Sequence, residues 1–229
     1  MITVSKEDYL KAILEAEYEG ENVISATLAH WLNVSPPAVT MALRRLKKDA
    51  MVRVRDDGRV QLTAAGRDVA QRTINRHHLI ERMLSEVFGL EWYKVHDEAE
   101  RLEHAVSADF EAKLVTKLGR GKACPHGNLA IPENPASRRK RGMQLLSEVA
   151  PAKAYVVASV FERDRGLLEF LEQRGIRPGS RLTVTARNYD QTLTISNSSG
   201  TVSVGSPVAQ RVWVRAHKGQ STSRLRSSS

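Results

Sequence analysis

The 229-residue sequence predicts a mainly α-helical protein with a small β domain at its carboxyl-terminal end. Three observations predict this class. Apolar residues recur at helical spacing as far as about residue 118. After the third predicted helix, an Asp-Gly turn joins two short segments in which apolar and polar residues alternate. From about residue 151 to 216 the apolar period changes to two, which indicates several short strands and a small barrel.

Residues 1–72 contain the pattern of a winged helix-turn-helix. Ser35 is a candidate cap for the third helix, and Pro36 occupies its first position, where a backbone N–H is not needed. The outer faces of that helix carry Thr40, Arg44, Arg45, Lys47 and Lys48. The alternating segments 52–55 and 60–62 predict a hairpin that would contact DNA beside the helix in the major groove. A three-helix domain with a solvated basic face is the other interpretation, but the order of cap, turn, basic face and hairpin favours DNA binding.

The middle of the chain is predicted to be helical. A long helix at 64–88 carries two apolar stripes, so it needs more than one packing partner. A homodimer provides such a partner and suits a helix-turn-helix that binds two half-sites. We expect the basic run 138–141 to be solvated. The predicted domain order is a winged helix-turn-helix at 1–72, a helical dimerisation domain at 73–140, a linker at 141–150, a β domain at 151–217 and a disordered tail at 218–229.

Composition favours a nucleic-acid partner and argues against a membrane. The 35 Lys and Arg residues against 26 Asp and Glu give a net charge of +9, and a basic surface releases counterions from double-stranded DNA. Aromatic residues make up only 5%, which argues against stacking on single-stranded bases. No apolar run approaches the roughly 20 residues of a bilayer-spanning helix, and the first residues lack a signal-peptide pattern. The single cysteine, Cys124, excludes an internal disulfide, so we expect a cytoplasmic protein.

Two predicted helices carry histidines and carboxylates at helical spacing. These residues are His77 and Glu81 on the first helix, and His96, Glu100, Glu103 and His104 on the second. Residues three and four positions apart project from one side of a helix. Because such groups are costly to bury unpaired, the two sets must neutralise each other or hold a cation. Asp8 is a further candidate, although Ser5 and Asp8 also fit a helix capping box.

Two other functions use the same residue types. Histidines and carboxylates build metallohydrolase sites, but the sequence has no His-Glu-x-x-His motif and no general base apart from the presumed ligands. We therefore expect that the protein is not an enzyme. The remaining alternative is a dimeric DNA-binding regulator in which the polar residues form only a salt-bridge network.

The segments 76–82 and 95–104 closely resemble the diphtheria toxin repressor family, which consists of metal-dependent bacterial transcription regulators. The resemblance extends to Glu7-Asp8-Tyr9-Leu10, to the helix-turn-helix and hairpin, and to Cys124-Pro125-His126-Gly127-Asn128. The β domain looks like the family's SH3-like (FeoA-like) domain, so the resemblance covers nearly the whole chain apart from the tail. It implies a metal-activated repressor of metal-uptake genes that binds operator DNA as a homodimer.

The resemblance also implies two metal sites. The primary, activating site would contain Asp8, Glu100, Glu103 and His104. The ancillary site would contain His77, Glu81, His96 and Asp164. A further ligand position of the family falls on Leu167, which cannot coordinate a metal, and Glu162 or water would substitute for it.

The primary-site residues resemble those of the manganese-sensing branch of the family. Iron-sensing members have a methionine at the position of Asp8 and a cysteine at the position of Glu100. Here both are carboxylates, and hard oxygen ligands suit Mn(II), with Fe(II) as the alternative. Zn(II) or Co(II) can bind in vitro because affinity follows the Irving–Williams order. Lys11 stands where the small two-domain manganese sensors have an acidic residue, which argues against a closely bridged two-metal cluster.

In the family mechanism, metal would link the first helix, which carries Asp8, to the helical core and set the spacing of the two recognition helices. Without metal, the three carboxylates of the primary site would repel one another and loosen this connection. On DNA, the start of the recognition helix would contact base edges and the basic residues would contact phosphates. The predicted DNA-binding residues are Thr27, Ser35, Pro36, Pro37, Thr40, Arg45, Lys48 and Arg55.

Overall fold

The computed structural model describes residues 4–217, with side chains from residue 6 onward. Within it the chain forms two compact units. Among the described residues, the first comprises 4–141 and 161–169, and the second comprises 142–160 and 170–217. The predicted tail at 218–229 and the side chain of Ser5 lie outside the described residues.

The first unit is mainly helical. Its elements are α1 (Val4–Glu19), α2 (Ser25–Leu32), α3 (Pro36–Lys48), β1 (Val52–Val54), β2 (Val60–Leu62), α4 (Ala64–Glu86), α5 (Val95–Leu102), α6 (Ala108–Leu118) and α7 (Pro135–Lys140). Helix α4 packs against α1, α5 and α6 and so forms the centre of the unit. The long helix predicted at 64–88 is therefore confirmed.

Helices α2 and α3 and the β1–β2 hairpin form the predicted winged helix-turn-helix. Asn33 adopts a left-handed conformation (φ 50°), which ends α2 and turns the chain. Ser35 then caps α3 by accepting a hydrogen bond from the Ala38 N–H at 3.4 Å, and Pro36 is the first helical residue. Strands β1 and β2 pair antiparallel over their full length. The predicted cap, turn and hairpin are thus confirmed.

Two apolar clusters hold the first unit together. The larger joins the winged helix-turn-helix to α1 and to the first half of α4, with Leu10, Leu46 and Ile74 among its buried side chains. The smaller joins the second half of α4 to α5 and α6, and includes Ile80 and Leu114. Burial of each such side chain stabilises the fold by about 1.5–3 kcal/mol. The two halves of α4 therefore have different packing partners within one chain.

The basic segment 138–141, at the end of the first unit, contacts α1. Asn134 caps α7 through its side-chain oxygen. The buried guanidinium of Arg138 donates to the carbonyl of Glu133 at 3.0 Å and to the carboxylate of Glu19 at 3.3 Å. The prediction that the run 138–141 is solvated is therefore wrong for Arg138, whose donors find acceptors inside the fold.

The second unit is a small antiparallel sheet with short helical segments. Its strands are β3 (Met143–Leu145), β4 (Lys153–Val160), β5 (Arg181–Arg187), β6 (Leu193–Asn197), β7 (Gly200–Val204) and β8 (Val212–Ala216). The helical elements around them are a 3-10 turn (Leu146–Glu148), α8 (Arg165–Glu172), which begins in the first unit, and α9 (Ser206–Ala209). The strand order is β3-β8-β4-β5-β6-β7, and irregularities in β4 and β5 bend the sheet.

This sheet confirms the predicted β domain and adds a strand to it. Strand β3 and the 3-10 turn lie within 141–150, for which the sequence predicts a linker. Three residues are too few to show an alternating pattern, so pairing with β8 is what makes this segment a strand. Within the described residues, no helix has both the length and the hydropathy needed to cross a bilayer.

Candidate metal centre

Histidines, carboxylates and one thiol gather in three groups in the first unit. In each group, one potential ligand atom per residue lies within 4.8 Å of the others. The first group is Asp8–Glu103–His104, the second is His77–Glu81–His96 and the third is His78–Glu81–Cys124–Glu162. Among the residues that the structure describes, these groups are the candidate metal sites.

The first group connects helix α1 to the end of α5. Asp8 Oδ1 lies 2.7 Å from His104 Nε2, and Glu103 Oε1 lies 3.4 Å from the same nitrogen. The other ring nitrogen, His104 Nδ1, lies 2.9 Å from Glu7 Oε2. Burial raises the pKa of Asp8 above its ordinary value, against the opposing influence of His104. Two carboxylates and an imidazole therefore converge at one point, and these are ligands that divalent ions use.

Lys11 lies next to this group and is almost fully buried, with 1% of its surface exposed. Its ammonium donates to Glu103 Oε2 at 2.8 Å, to Glu103 Oε1 at 3.0 Å and to Glu100 Oε1 at 2.9 Å. It also lies 3.1 Å from His77 Nδ1. The predicted repulsion among the metal-free carboxylates is therefore corrected, because an ammonium lies between two of them.

Glu100, the fourth predicted primary ligand, is directed toward cationic side chains and lies outside the first group. Besides contacting Lys11, its Oε1 lies 3.5 Å from Arg163 Nη1 and 3.6 Å from His96 Nε2. Burial raises the pKa of Glu100, but the charges of Lys11, His77 and Arg163 outweigh burial and lower the pKa to about 2. The structure thus brings together three of the four predicted primary residues.

The second group joins α4 to α5 around His77. His77 Nε2 lies 3.1 Å from Glu81 Oε1 and 3.0 Å from His96 Nδ1. The other nitrogen, His77 Nδ1, lies 2.6 Å from Glu103 Oε2, so the second group contacts the first. Burial and the charge of Lys11 lower the pKa of His77, but Glu81 and Glu103 outweigh them and raise the pKa to about 10. A protonated His77 must release its proton before it can bind a metal.

Asp164, the predicted ancillary ligand near the β domain, caps helix α8. Its Oδ1 accepts a hydrogen bond from the Leu167 N–H at 2.9 Å, which satisfies a donor in the first turn of the helix. Among the described residues, Asp164 belongs to none of the three groups. Glu162, two positions earlier, is the acidic residue of this segment that joins a group.

The third group is a buried cluster around two carboxylates. Glu162 Oε2 accepts a hydrogen bond from the Cys124 thiol at 3.4 Å, and Glu162 Oε1 lies 3.5 Å from His78 Nε2. His126 adjoins the group, since its Nδ1 lies 3.3 Å from Glu81 Oε1 and 3.6 Å from Glu162 Oε2. Burial raises the pKa of Cys124, and the carboxylates of Glu81 and Glu162 raise it further.

Three buried polar atoms of this cluster have no hydrogen-bond partner among the described residues: His78 Nδ1, Glu81 Oε2 and His126 Nε2. Buried polar atoms are normally paired, so unpaired ones indicate a place for an ion or water. A divalent cation would satisfy the carboxylate and would favour the thiolate form of Cys124. These residues therefore fit a metal ion. Cys124 and His126 lie in the loop between α6 and α7, where no helical period marks them as ligands in the sequence.

The predicted DNA-binding residues lie on α2, α3 and the hairpin, or next to them. Seven of the eight are exposed: Ser35, Pro36, Pro37, Thr40, Arg45, Lys48 and Arg55. Thr27 is half-buried, and its hydroxyl donates to the carbonyl of Asn22 at 2.6 Å. The outer side of α3 is therefore exposed to solvent.

Three family models match consecutive parts of the chain. The N-terminal DNA-binding domain of the iron-dependent repressors matches residues 1–60. Their metal-binding and dimerisation domain matches residues 63–132, and the FeoA domain matches residues 144–216. The iron-dependent repressor IdeR of Mycobacterium tuberculosis is 34% identical over 189 residues, which cover 78% of this chain and 82% of the relative. The chain belongs to the iron-dependent repressor family.

Other members of the iron-dependent repressor family support this assignment. The diphtheria toxin repressor of Corynebacterium diphtheriae is 30% identical over 217 residues, which cover 91% of this chain and 95% of the relative. A solved structure of a manganese-dependent transcriptional repressor in complex with manganese is 33% identical. It superposes with a TM-score of 0.80 and covers 93% of this chain and 100% of its own. Fold and sequence thus agree on the same family.

As an iron-dependent repressor, the chain is a metal-dependent transcriptional repressor with a DNA-binding and a dimerisation domain. The first group combines residues from two of the matched domains. Asp8 belongs to the DNA-binding match, whereas Glu103 and His104 belong to the metal-binding match. The third group includes Glu162 from the FeoA match. Each of these two groups therefore combines residues from consecutive domains.

Proposed function

We propose that a divalent metal ion, with Mn(II) favoured, switches on operator binding by this repressor, which acts as a homodimer on metal-uptake genes. The observation that carries the proposal is the first group, in which Asp8 on α1 meets Glu103 and His104 at the end of α5. An ion at this point would add bonds between the DNA-binding domain and the helical domain. It would strengthen DNA binding by as much as it prefers the DNA-competent arrangement of these domains, and reciprocally.

The ligand types of the first group support Mn(II). Its donors are two carboxylates and one imidazole, and hard oxygen ligands suit Mn(II) better than thiolates do. Relatives named for iron and for manganese both resemble this chain, so Fe(II) is the alternative. Zn(II) and Co(II) stand above Mn(II) in the Irving–Williams order, so they can bind in vitro without being the physiological signal.

The third group, with His126 beside it, is the better candidate for an ancillary site than a set containing Asp164. It offers a thiol, imidazoles and two carboxylates, and it contains buried polar atoms without a partner. A thiolate favours softer ions than the first group does. The second group would then serve as a charge network in the metal-free protein, because His77 lies between Glu81 and Glu103.

The exposed residues of α3 and the hairpin support the proposed orientation on DNA. Residues at the start of α3 would contact base edges, as the N-terminal part of a recognition helix does in this fold. These residues are Ser35, Pro36, Pro37 and Thr40. Arg45, Lys48 and Arg55 would contact phosphates, with Thr27 near the backbone.

A repressor that binds DNA without metal is the second candidate function. The contacts of Lys11 with Glu100 and Glu103 favour it, because an ammonium already joins α1 to α5. A hydrolase is disfavoured, because Glu81, Glu103 and Cys124 are buried and a catalytic metal needs an open position for its substrate.

Fluorescence anisotropy tests the proposal with a duplex that the Mn(II)-loaded protein selects from a random library. After chelation, binding is measured without metal and with Mn(II), anaerobic Fe(II), Zn(II) or Co(II). We expect Mn(II) to tighten binding by wild type about tenfold or more. Asp8→Ala should lose this activation and remain a folded dimer in sedimentation. Asp68→Ala removes an exposed carboxylate from α4 and is the matched control that should keep the activation.

Each outcome separates the candidates. If Asp8→Ala keeps its activation by Mn(II), the proposed linkage through the first group is refuted. Equal binding by chelated and metal-loaded wild type would favour the salt-bridge network. If no duplex is enriched with any of the metals, operator binding itself is refuted.

A further inference from the structure

The ammonium of Lys11 is surrounded by carboxylate oxygens of Glu100 and Glu103, which also suit other cations. We propose that it takes the place of a second divalent ion, so that the position between Glu100, Glu103 and His77 stays closed to metal and the first group binds one ion only. The inference rests on the proposed metal binding by the first group and adds a stoichiometry to it. It also assigns Lys11 a positioning role, since it holds α1 against α5 whether or not metal is present.

The contacts of Lys11 describe a cation site rather than a packed aliphatic chain. Three of its four polar contacts, at 2.8–3.0 Å, are to carboxylate oxygens of Glu100 and Glu103, and the fourth is to an imidazole nitrogen of His77. Two carboxylates and an imidazole are also the ligand types of the first group. The pocket around the ammonium therefore has the chemistry of a metal site with its cation supplied by the chain.

The position of the Lys11 ammonium is adjacent to the first group, because Glu103 contacts both. Its Oε1 lies 3.0 Å from Lys11 Nζ and 3.4 Å from His104 Nε2. Its Oε2 lies 2.8 Å from the same ammonium. A carboxylate that faces two neighbouring cation positions in this way would bridge two ions if both were metals. Here one of the two is already filled.

The local charges allow one added ion but not two. Arg163 lies 2.6 Å from Glu15 and 3.5 Å from Glu100, so a second fixed cation borders the ammonium. Lys11, Arg163 and the ring of His77, when it is protonated, together offset the negative charge of Glu15, Glu100 and Glu103. A divalent ion placed among them would add two positive charges without a new ligand. The carboxylate of Asp8, in contrast, is available to offset an ion in the first group.

Removal of the ammonium should open the second position. Lys11→Met keeps the length and apolar stem of the side chain and removes its charge. We expect this variant to bind one Mn(II) per protomer more than wild type in isothermal titration. Its electron paramagnetic resonance spectrum should show two exchange-coupled Mn(II) ions, whereas the ions in wild type should give uncoupled spectra. Lys113→Met removes an exposed lysine from α6 and should bind as wild type does.

The titrations distinguish failure of this inference from failure of the proposed function. If Asp8→Ala binds as many Mn(II) ions per protomer as wild type, the proposed first-group site is overturned. If Asp8→Ala binds one ion fewer than wild type but Lys11→Met binds the same number as wild type, only the role of Lys11 is overturned. A coupled Mn(II) pair in wild type would also overturn it.

Lys11→Gln is the second variant, because it retains N–H donors and so reduces the risk of unfolding. If both variants fold only when Mn(II) is added, while Lys113→Met folds without it, the ion has replaced the ammonium and the inference is supported. If neither variant folds at saturating Mn(II), the exchange of ammonium for metal does not occur and the inference fails.

Discussion

Glu103 connects the first and second groups through a single buried carboxylate. It accepts from Lys11 through both oxygens, lies 2.6 Å from His77 Nδ1 and faces His104 at 3.4 Å. Burial raises the pKa of Glu103, but the hydrogen bond from His77 and the charge of Lys11 lower it below the ordinary value. The negative charge of this residue therefore stabilises two cationic side chains even before a metal binds.

Glu103→Gln should destabilise the metal-free protein, because it leaves the buried ammonium of Lys11 and the protonated ring of His77 with less compensating charge. We expect the free energy of unfolding to fall by about 3 kcal/mol, as for other broken buried ion pairs. Urea denaturation of the chelated protein measures this change. Glu98→Gln, which changes a solvent-accessible carboxylate of α5, is the matched control and should change stability by no more than about 0.5 kcal/mol. Equal stabilities of the two variants would contradict the role given to Glu103.

Sequence spacing predicts ligands on helices better than ligands in loops. The periodicity of α4 places His77 and Glu81 on a shared face, and the structure brings this pair together in the second group. Glu162 and Asp164 lie ahead of α8, where no helical period fixes the direction of a side chain. Asp164 caps α8 locally, whereas Glu162 faces the third group through contacts with Cys124 and His78, which are distant in sequence.

At the scale of elements, long repeated patterns predict structure and short ones do not. Helix α4 has several turns of apolar spacing, and α3 has a serine cap followed by proline, so both are predictable from local sequence. Strand β3 has three residues and depends on pairing with β8. The buried position of Arg138 in α7 depends on an acceptor from α1, which is 119 residues away in sequence.

The contact between α4 and α5 should make the metal-free protein sensitive to pH. His77 has its pKa raised from 6.5 to about 10: burial opposes the shift, and Glu81 and Glu103 cause it. A raised pKa means that the stabilisation is fully present below pH 6.5 and is lost as the pH rises through 10. His77 alone should therefore lower the free energy of unfolding by about 1.4 kcal/mol per pH unit within this window.

Urea denaturation of the chelated protein between pH 6.5 and 10 tests this contribution. His77→Gln should show a shallower decline of stability with pH than wild type. His30→Gln, at an exposed position of α2, should decline as steeply as wild type. The same slope in wild type and in His77→Gln would show that His77 gains no protonated state on folding.

At the scale of the whole molecule, the order of the domains is predictable, but their shared residues are not. Each domain carries its own local pattern, and the three family matches follow one another along the chain. The contact of Asp8 with His104 joins residues 96 positions apart, and no periodicity reports such a pairing. The family resemblance identified Asp8 as a ligand, but it did not identify the third group, which combines residues from three separate segments.

Because the net charge of the molecule is +9, we expect its affinity for DNA to fall as the salt concentration rises. If Arg45 contacts a phosphate, Arg45→Ala should weaken binding of the Mn(II)-loaded protein to every duplex by a similar factor. It should reduce the slope of log affinity against log salt by about one per contact, and hence by about two for a homodimer.

Thr40 provides the contrast, because it lies at the start of α3, where base edges are expected to be contacted. Thr40→Ala should change the relative affinities of duplexes that differ by one base pair, by about 1–3 kcal/mol at the contacted position, and leave the salt slope unchanged. Anisotropy titrations over a salt series measure both quantities. Lys113→Ala removes a positive charge from an exposed position of α6 and controls for net charge. A slope reduced equally by Lys113→Ala and Arg45→Ala would mean that overall charge, and not the surface of α3, determines how this repressor binds DNA.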